Sequence, residues 1–348
     1  ARKAIDFFMQ RNDDTDRIVF SFYGGEPLLR FDLIKKCVSY IENTVNGHVV
    51  YFNMTTNGTL LSQEVTDYLV AHNFRLAISL DGPRDLHNVN RRFSNGEGSF
   101  DRIMENVQNI KKRYPDFAKN ITFMTVVNPK ADLDKVVEFF ETDNLLHDNF
   151  IQFNVMSEVG LDVQLDYSED YWQLRNYEYL KMLASLINKV PKENISRLMV
   201  SGEQMIRLFA KKLKGRAPLP SVFQRGGPCL AGARRLFVTV DGNLFPCERV
   251  NEKSQFCQLG SLSKGVEEKK VSDFINIGCV TEEECKDCWN LPFCLMCFGE
   301  ITVENIDLPS QKDILANCRA QKSRTLRDLY EYATLSELGY DAFVEGDI

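Results

Sequence analysis

The sequence predicts an α/β fold in which a parallel β-sheet with its crossover helices is followed by a cysteine-rich domain. From residue 17 to about residue 156, short apolar runs typical of strands alternate with amphipathic helical patterns. Repeated βα units of this kind imply parallel strands joined by right-handed crossovers. Nine of the ten cysteines lie between Cys229 and Cys318. The 348 residues are enough for two domains, or for one large barrel with an appended domain.

The predicted strands and helices of the first part follow one another in regular order. Strands are predicted at residues 18–23, 49–54, 75–80, 120–127 and 150–155. Helices are predicted between them at residues 31–43, 63–72, 99–113 and 133–142. Polar turns that contain glycine follow the first three strands. Such turns lie at the carboxyl ends of parallel strands, where folds of this class place their active sites.

The second part of the chain shows a different pattern. Residues 167–212 are predicted to form a helical insertion, and the Pro- and Gly-containing residues 215–228 a linker. Asp241-Gly242 between two runs of strand-forming residues predicts a hairpin. From residue 250 to residue 318 we expect little secondary structure and little apolar core, so that bonds to metal ligands order the segment. A helix is predicted from residue 319.

Composition and charge exclude several classes of function. Hydrophobic residues make up 44% and charged residues 26% of the chain, as is usual for a soluble globular protein. The net charge of −7 argues against nucleic acid as the main partner. No apolar run approaches the roughly 18 residues that a membrane span needs. The sequence has no visible secretion signal, so we expect a cytoplasmic protein without a membrane partner.

The spacing of seven cysteines predicts metal or cluster binding. They form the pattern Cys229-x12-Gly242-x4-Cys247, then Cys285-x2-Cys288-x5-Cys294-x2-Cys297, and finally Cys318. A Cys-x2-Cys pair brings two thiolates to one metal centre, and a four-iron cluster needs four such ligands. Zinc is the main alternative, because two cysteine pairs can form a tetrahedral site. Disulfides are a further alternative in a secreted protein.

This pattern resembles the SPASM domain, the extension with two iron–sulfur clusters found on radical S-adenosylmethionine (SAM) enzymes that modify peptides and proteins. The x2 step between Cys294 and Cys297 departs from the more usual x3. The resemblance implies an outer cluster held by Cys285, Cys288, Cys294 and Cys318. It implies an inner cluster held by Cys229, Cys247 and Cys297. A fourth inner ligand is not specified, and Cys257, Cys279, a substrate thiolate or no ligand at all remain open.

The first part of the chain carries motifs that match the same family. Gly24-Gly25-Glu26-Pro27 follows the first predicted strand. Two glycines let a backbone approach a ligand closely, and a carboxylate accepts hydrogen bonds from an ammonium group, although the four residues could also form a simple turn. The motif resembles the one with which radical SAM enzymes bind the amino group of the methionine moiety.

Further residues match the SAM site of the family at the ends of the later strands. Ser79 and Asp81 resemble the stretch that contacts the ribose. Arg91 matches the arginine that reaches the methionine carboxylate, with Arg92 as a second choice, although an arginine pair is also typical of a solvated surface. The remaining candidates for contact with the cofactor are Thr56, Asn57, Val126 and Met156, of which the last two would flank the adenine.

One defining feature of the family is missing from the sequence. The Cys-x3-Cys-x2-Cys loop that binds the catalytic cluster does not occur, and Cys37, alone in a helical pattern, cannot replace it. We expect this loop and the first barrel strand to precede Ala1; a degenerate, non-catalytic relative is the alternative. The resemblance therefore implies a partial (β/α)6 TIM-type barrel at residues 1–215, a SPASM domain at 216–320 and a helical tail at 321–348.

The resemblance implies an oxidoreductase that uses SAM and [4Fe-4S] clusters, two of them auxiliary clusters in this chain. The context of Cys247 and Cys288 looks most similar to maturases of the sactipeptide or ranthipeptide kind, which predicts a thioether crosslink in a ribosomally made precursor peptide. Glu248 stands where sulfatase-maturing members have aspartate, and it is a candidate base. The electron donor would be a flavodoxin or ferredoxin. Carbon–carbon crosslinking, side-chain oxidation and a zinc-ordered peptide-binding scaffold are the alternatives.

Overall fold

The computed structural model describes residues 1–11, 16–156, 165–215, 219–223, 235–301 and 308–343. These residues divide into two compact units. The α/β unit holds residues 16–156 and 165–207, and the cysteine-rich unit holds residues 1–11 together with the described residues from 208 onward. The division near residue 208 lies close to the predicted boundary at 215. Residues 1–11 group with the cysteine-rich unit, which the sequence pattern does not predict.

The α/β unit is built on a five-stranded parallel sheet in the order β1-β2-β3-β4-β5, which confirms the predicted fold class. The strands are β1 (Arg17–Phe22), β2 (Val49–Thr56), β3 (Phe74–Ser79), β4 (Thr122–Val127) and β5 (Phe150–Val155). Alternate residues along each inner strand are buried and half-buried, as in β3, where Leu76 and Ile78 are buried and Ala77 and Ser79 are not. The sheet therefore has one fully covered apolar face and one face with polar, accessible side chains.

Seven helices lie within the α/β unit among the described residues, and an eighth runs across its boundary at residue 208. They are α2 (Phe31–Thr44), α3 (Gln63–Ala71), α4 (Arg84–Asn90), α5 (Phe100–Arg113), α6 (Pro115–Lys119), α7 (Leu133–Thr142), α8 (Glu169–Leu186) and α9 (Val200–Lys214), after α1 (Arg2–Met9) of the cysteine-rich unit. Helices α4 and α6 are absent from the sequence prediction because they are too short and polar to show a helical period. The predicted helical segment at 167–212 is two helices, interrupted by the short 3-10 turns Lys192–Asn194 and Arg197–Met199.

Arg197 fixes the second of these turns to the α/β unit. Its guanidinium donates to the carbonyl oxygens of Phe140 (2.6 Å), Leu146 (2.7 Å) and Asn149. Its backbone N–H donates to Glu141 Oε1 at 2.7 Å. These three carbonyl oxygens, in and between α7 and β5, take no part in the hydrogen bonds of a helix or a strand. The planar guanidinium provides each of them with a donor.

Arg197→Met is expected to lower the free energy of unfolding by about 3 kcal/mol, because the carbonyl acceptors would lose a charged donor without gaining access to water. Urea unfolding followed by circular dichroism measures the change. The matched control is Arg102→Met, since Arg102 is exposed and pairs loosely with Glu105 at 3.7 Å, and we expect less than about 0.5 kcal/mol there. Equal effects of the two substitutions would contradict this account of Arg197.

The cysteine-rich unit contains a small antiparallel sheet. Its strands are β6 (Phe237–Val238), β7 (Asn243–Phe245), β8 (Gly260–Ser261) and β9 (Gly265–Val266). The predicted hairpin is present as β6 and β7, and Gly242 at its turn has a φ of +83°, which favours glycine. Strands β8 and β9 are too short to leave an alternating pattern in the sequence. The remaining helices are α10 (Glu268–Ile275), α11 (Glu282–Cys285), α12 (Gln311–Leu315) and α13 (Cys318–Glu337).

The expectation of little apolar core in this unit is wrong. A cluster of buried residues includes Leu244, Phe245, Phe256, Leu259 and Phe274, each 3% exposed or less. These residues lie in turns and short elements, so they form no periodic pattern in the sequence. Among the described residues, no helix is both long enough and apolar enough to cross a lipid bilayer.

Candidate functional site

Glu26 joins the carboxyl ends of β1 and β2. Its Oε1 accepts hydrogen bonds from Thr56 Oγ1 (2.7 Å) and from the N–H of Leu28 (3.1 Å), and its Oε2 accepts from the N–H of Asn57 (2.7 Å). Among the described residues Oε2 accepts this single hydrogen bond and can accept a second, so the expected contact with an ammonium group stays a prediction. Thr56 is buried, and its hydroxyl is directed to Glu26 rather than to a ligand. Glu26 holds the two turns together.

The Gly24-Gly25 turn borders open space. Gly24 has a φ of +153°, and apart from the adjacent residues no atom of the described residues lies within 4 Å of a Cβ built at either glycine. The 3-10 turn Pro27–Arg30 follows, with Glu26 as its N-cap. The backbone of this turn is thus held rigidly from one side and left uncovered on the other, as a site for a small molecule requires.

Asn57 and Gly58 form a second turn, at the end of β2. The side-chain oxygen of Asn57 accepts from both the N–H (3.0 Å) and the hydroxyl (2.7 Å) of Thr59, so this side chain also serves the turn. Gly58 has a φ of +76°, and a Cβ there would lie 2.9 Å from Ile78 Cγ2. The buried Asn106 on α5 donates its amide to the Gly58 carbonyl at 2.9 Å. The turn is therefore packed from below by β3 and α5.

Asp81 and Arg91, which the sequence assigned to separate contacts, form one ion pair. Arg91 Nε donates to Asp81 Oδ2 at 2.5 Å, and Nη2 donates to Oδ1 at 3.2 Å. Asp81 Oδ1 also accepts from the N–H of Val126 at 3.1 Å, which ties the pair to β4. The neighbouring Arg92 donates to the Asn88 carbonyl instead, so Arg91 is the arginine directed to the sheet edge.

His87 on α4 links the backbone of Asp81 to the backbone of Arg91 through hydrogen bonds. The N–H of Asp81 donates to His87 Nδ1 at 3.2 Å, which requires the proton of the neutral ring to be on Nε2. His87 Nε2 then donates to Ser99 Oγ at 3.0 Å, and the Ser99 hydroxyl donates to the Arg91 carbonyl at 3.2 Å. Burial lowers the pKa of His87 to about 4, against the raising effect of Asp81 and with the lowering effect of Arg91. These hydrogen bonds therefore require the neutral form of the His87 ring.

Native stability is expected to fall as the pH drops from about 6.5 to about 4. His87 has a pKa of about 4 when folded and 6.5 as a free side chain, so in this window the unfolded chain binds a proton that the native chain does not. The free energy of unfolding falls by up to about 3 kcal/mol at pH 4, and it is not lowered at pH 7.

His87→Gln should remove that part of the pH dependence, measured as the difference in unfolding free energy between pH 7 and pH 4.5. The exposed His147, replaced by Gln, is the control and should leave the slope unchanged. If the unfolding free energy changed with pH equally in both variants, the result would contradict a neutral, buried His87.

His87, Ser99 and Asn106 support the turns of the candidate site, and the sequence pattern does not predict them. Their roles depend on partners that are six, twelve and forty-eight residues away. The available signal was a histidine in a polar segment directly after the Asp81 turn, but an isolated histidine has no spacing pattern that marks it as structural.

The remaining candidates of the α/β unit lie on neighbouring strands at the same edge. Ser79 of β3 is opposite Met124 of β4, and Val126 of β4 is opposite Asn154 of β5. Met156 follows β5 directly, and its N–H donates to the Tyr167 hydroxyl at 3.1 Å. Ser79, Val126 and Met156 are half-buried, so they border the accessible face.

This edge fits SAM by the chemistry of its parts. Open space lies beside the Gly24-Gly25 backbone, the Asp81–Arg91 pair offers hydrogen-bonding groups for a ribose or a carboxylate, and Val126 and Met156 offer apolar surface for a purine. The arrangement brings together residues from the ends of β1, β3, β4 and β5.

The cysteines predicted for the outer cluster are all half-buried. Cys285 ends α11, and the N–H of Cys288 donates to its carbonyl at 3.1 Å, which closes the Cys-x2-Cys turn. Cys318 begins α13, and Cys294 and Cys318 pack against the apolar core. Within the described ranges, no three His, Cys, Asp or Glu side chains are grouped closely enough to hold a single metal ion. Thiolates that bind different irons of one cluster need a wider spacing than ligands of one ion.

Of the cysteines predicted for the inner cluster, Cys229 lies outside the described residues. Cys247 is buried at the end of β7, and burial raises the pKa of its thiol, opposed by the N–H groups of Arg249 and Val250. Cys297 is half-buried and accepts from the N–H of Gly299 at 3.4 Å. The candidate base Glu248 follows Cys247 directly and is exposed, and its Oε1 lies 3.5 Å from Arg235 Nη1.

Comparison with known proteins gives three findings. Residues 5–142 match the family described as the radical SAM superfamily. A cysteine-type anaerobic sulfatase-maturating enzyme of Clostridium novyi (strain NT) is 26% identical over 295 residues, which are 81% of this chain and 73% of that enzyme. A radical SAM cyclopropyl synthase, TigE, of Paramaledivibacter caminithermalis is 23% identical over 188 residues, which are 54% of this chain and 34% of the synthase.

A structural comparison gives the same fold. The solved structure of native anSMEcpe with bound AdoMet and Kp18Cys peptide has a TM-score of 0.62 and 21% sequence identity, and the match covers 94% of this chain and 90% of that chain.

Proposed function

We propose that the substrate of this chain is a ribosomally made precursor peptide. Residues 5–142 form a radical SAM domain, and the chain is therefore an oxidoreductase that uses SAM and iron–sulfur clusters. The proposed reaction removes a hydrogen atom from the peptide and joins that position to a cysteine sulfur as a thioether. The observation that carries the proposal is the extent of similarity to the sulfatase-maturating enzyme, 295 residues, which goes far beyond residues 5–142 and must include cysteine-rich sequence. A solved structure of the same fold holds a peptide.

Arg91 is the proposed ligand of the SAM carboxylate. Nε and Nη2 are used on Asp81, and Nη1 has no partner among the described residues. A guanidinium held on one side by a carboxylate keeps its remaining donors in a fixed direction, which suits a second carboxylate. Bound SAM and the iron–sulfur clusters would supply the redox chemistry: a radical that takes the substrate hydrogen atom, and an acceptor for the one electron that is left when the thioether forms.

Asp81 is the proposed ligand of a ribose hydroxyl. Among the described residues its Oδ2 accepts a single hydrogen bond, from Arg91 Nε, and a carboxylate oxygen can accept a second. Ser79 offers a hydroxyl two residues earlier on the same accessible face. His87 does not contact the ligand in this proposal; it holds Asp81 in place, and Glu26 holds the turns after β1 and β2 together.

Glu248 is the proposed base that accepts the proton released when the thioether forms. Its position directly after Cys247 places it beside the proposed inner cluster. A flavodoxin or ferredoxin is the proposed electron donor, and the cytoplasm the proposed location. The described cysteines are all free thiols, which is typical of a reducing compartment.

Side-chain oxidation is the second candidate, because a relative that matches 81% of this chain is named a cysteine-type anaerobic sulfatase-maturating enzyme. The two reactions leave different products. A thioether retains the cysteine sulfur and makes it resistant to alkylation, whereas oxidation of the cysteine side chain removes the sulfur from the peptide.

The test is anaerobic reconstitution of the full-length protein with SAM, a reductant and the peptide encoded next to its gene. We expect 5′-deoxyadenosine and a peptide that has lost two hydrogens, retains its sulfur and no longer reacts with iodoacetamide. Loss of sulfur would favour the second candidate. Absence of 5′-deoxyadenosine would defeat both, and colourless protein that contains zinc alone would favour the peptide-binding scaffold.

A further inference from the structure

A groove with a volume of about 450 Å³ lies on the surface of the cysteine-rich unit, and the proposed chemistry gives it no role. Its lining is formed by Trp289, by Leu315 of α12 and by residues between Cys318 and Leu326 of α13. A concave site of this size holds a small ligand or a few residues of a peptide, whereas a flat protein surface would leave it unfilled.

Arg319 and Lys322 give the groove a positive charge. Both are exposed and lie three residues apart on α13, and neither side chain has an ion-pair partner among the described residues. Within the part of the chain that the structure describes, no carboxylate lines the groove. The first turn of α13 contains no acidic residue, and the helix dipole adds positive potential at this end. The groove is therefore complementary to an acidic ligand, although the chain as a whole has a charge of −7.

Trp289 and Leu326 add exposed apolar surface to the same groove. Trp289 is 50% exposed and Leu326 is 44% exposed. Leu326 follows Lys322 by four residues, so the two side chains lie on one face of α13. From Arg319 to Leu326 this face is about 10 Å long, the length of about three residues of extended peptide. Exposed aromatic and arginine side chains are typical anchors of binding surfaces, so the occupant has apolar side chains beside its acidic ones.

We propose that this groove binds an acidic and apolar segment of the precursor peptide, outside the residues that react. The inference rests on the proposed function, which supplies a peptide substrate. Carboxylates of the segment pair with Arg319 and Lys322, and its apolar side chains contact Trp289 and Leu326. A segment held here keeps the rest of the same peptide at a high local concentration, whatever the residue that reacts.

The test is the affinity of the full-length protein for a short fluorescein-labelled peptide of alternating glutamate and leucine, measured by fluorescence anisotropy at low ionic strength. We expect Lys322→Glu to weaken binding about tenfold, because it replaces an attraction by a repulsion. The matched control is Arg324→Glu, which changes the net charge equally at an exposed position of α13 that does not line the groove, and it should bind as the wild type does. Wild-type affinity in Lys322→Glu, or equal losses in the two variants, would overturn the proposal.

A second pair of variants tests the apolar contact. Leu326→Ser should weaken binding of the labelled peptide about fivefold, because less apolar surface is removed from water. Leu338→Ser is the control, since Leu338 is 58% exposed and does not line the groove, and it should leave the affinity unchanged. Equal affinities in these two variants would overturn the proposed contact with Leu326.

Competition identifies the occupant. The unlabelled precursor peptide encoded next to the gene should displace the labelled peptide from the wild-type protein. Displacement by a recombinant flavodoxin alone, or a dimer that Lys322→Glu dissociates, would assign the groove to another partner and overturn the proposal. A precursor peptide that is crosslinked but displaces nothing would overturn it and leave the proposed function intact. Displacement without formation of 5′-deoxyadenosine would fail the proposed function and leave the groove assignment intact.

Discussion

Arg91→Ala is expected to weaken SAM binding about 100-fold, which corresponds to roughly 3 kcal/mol. The guanidinium is the proposed ligand of the SAM carboxylate, and charge-assisted hydrogen bonds of this kind are the strong ones in a partly buried site. The substitution also leaves the Asp81 carboxylate, whose side chain is 11% exposed, without its cation, and so places a repulsive charge next to the ligand carboxylate. Isothermal titration of the anaerobic protein with SAM measures the effect.

Two further variants show whether the geometry of Arg91 or only its charge matters. Arg91→Lys should restore little of the affinity, because an ammonium group cannot serve Asp81 through two nitrogens and a second carboxylate at the same time. Arg92→Ala should bind SAM as the wild type does, since Arg92 donates to the Asn88 carbonyl. Wild-type affinity in Arg91→Ala, or equal losses in the two alanine variants, would contradict the proposed role.

Gly58→Ala is expected to lower the free energy of unfolding by about 3 kcal/mol, the sum of a left-handed backbone and an overpacked core. Gly58 has a φ of +76°, and its new Cβ would lie 2.9 Å from Ile78 Cγ2 and 3.3 Å from Ile103 Cγ2. Both isoleucines are fully buried and cannot move aside freely. Urea unfolding measures the loss, and SAM affinity should fall with it, because the turn carries the N–H that Asn57 donates to Glu26.

Gly47→Ala is the matched control for Gly58→Ala. Gly47 has nearly the same backbone angle, with a φ of +81°, but in the part of the chain that the structure describes no atom beyond the adjacent residues lies within 4 Å of an added Cβ. Gly47→Ala should therefore cost only the backbone term, about 1 kcal/mol, without an effect on SAM affinity. If the two substitutions cost the same, contact with the isoleucines has no share in the effect.

Much of the fold could be predicted because its signals are local. The alternation of apolar residues in β1 to β5 is a property of six to eight consecutive residues, and each predicted strand overlaps the observed one. The hairpin at Gly242 follows from two turn residues between two short runs. Strands β8 and β9 and helix α4 could not be predicted, because an element of two residues, or of seven mostly polar ones, contains too little of its own period.

The sequence by itself determined the fold class, the order of the strands and the residue types at their carboxyl ends, because strand alternation and turn chemistry depend on neighbours along the chain. Only the tertiary structure decided what those residues do. Glu26 binds Thr56 and Asn57 thirty and thirty-one residues away, and Asp81 pairs with Arg91 across a helix. Cys257 is buried in the same cluster as Cys247, whereas Cys279 is exposed. Hydrogen bonds and burial depend on distances in space between residues that are remote in sequence, and no spacing pattern encodes those distances.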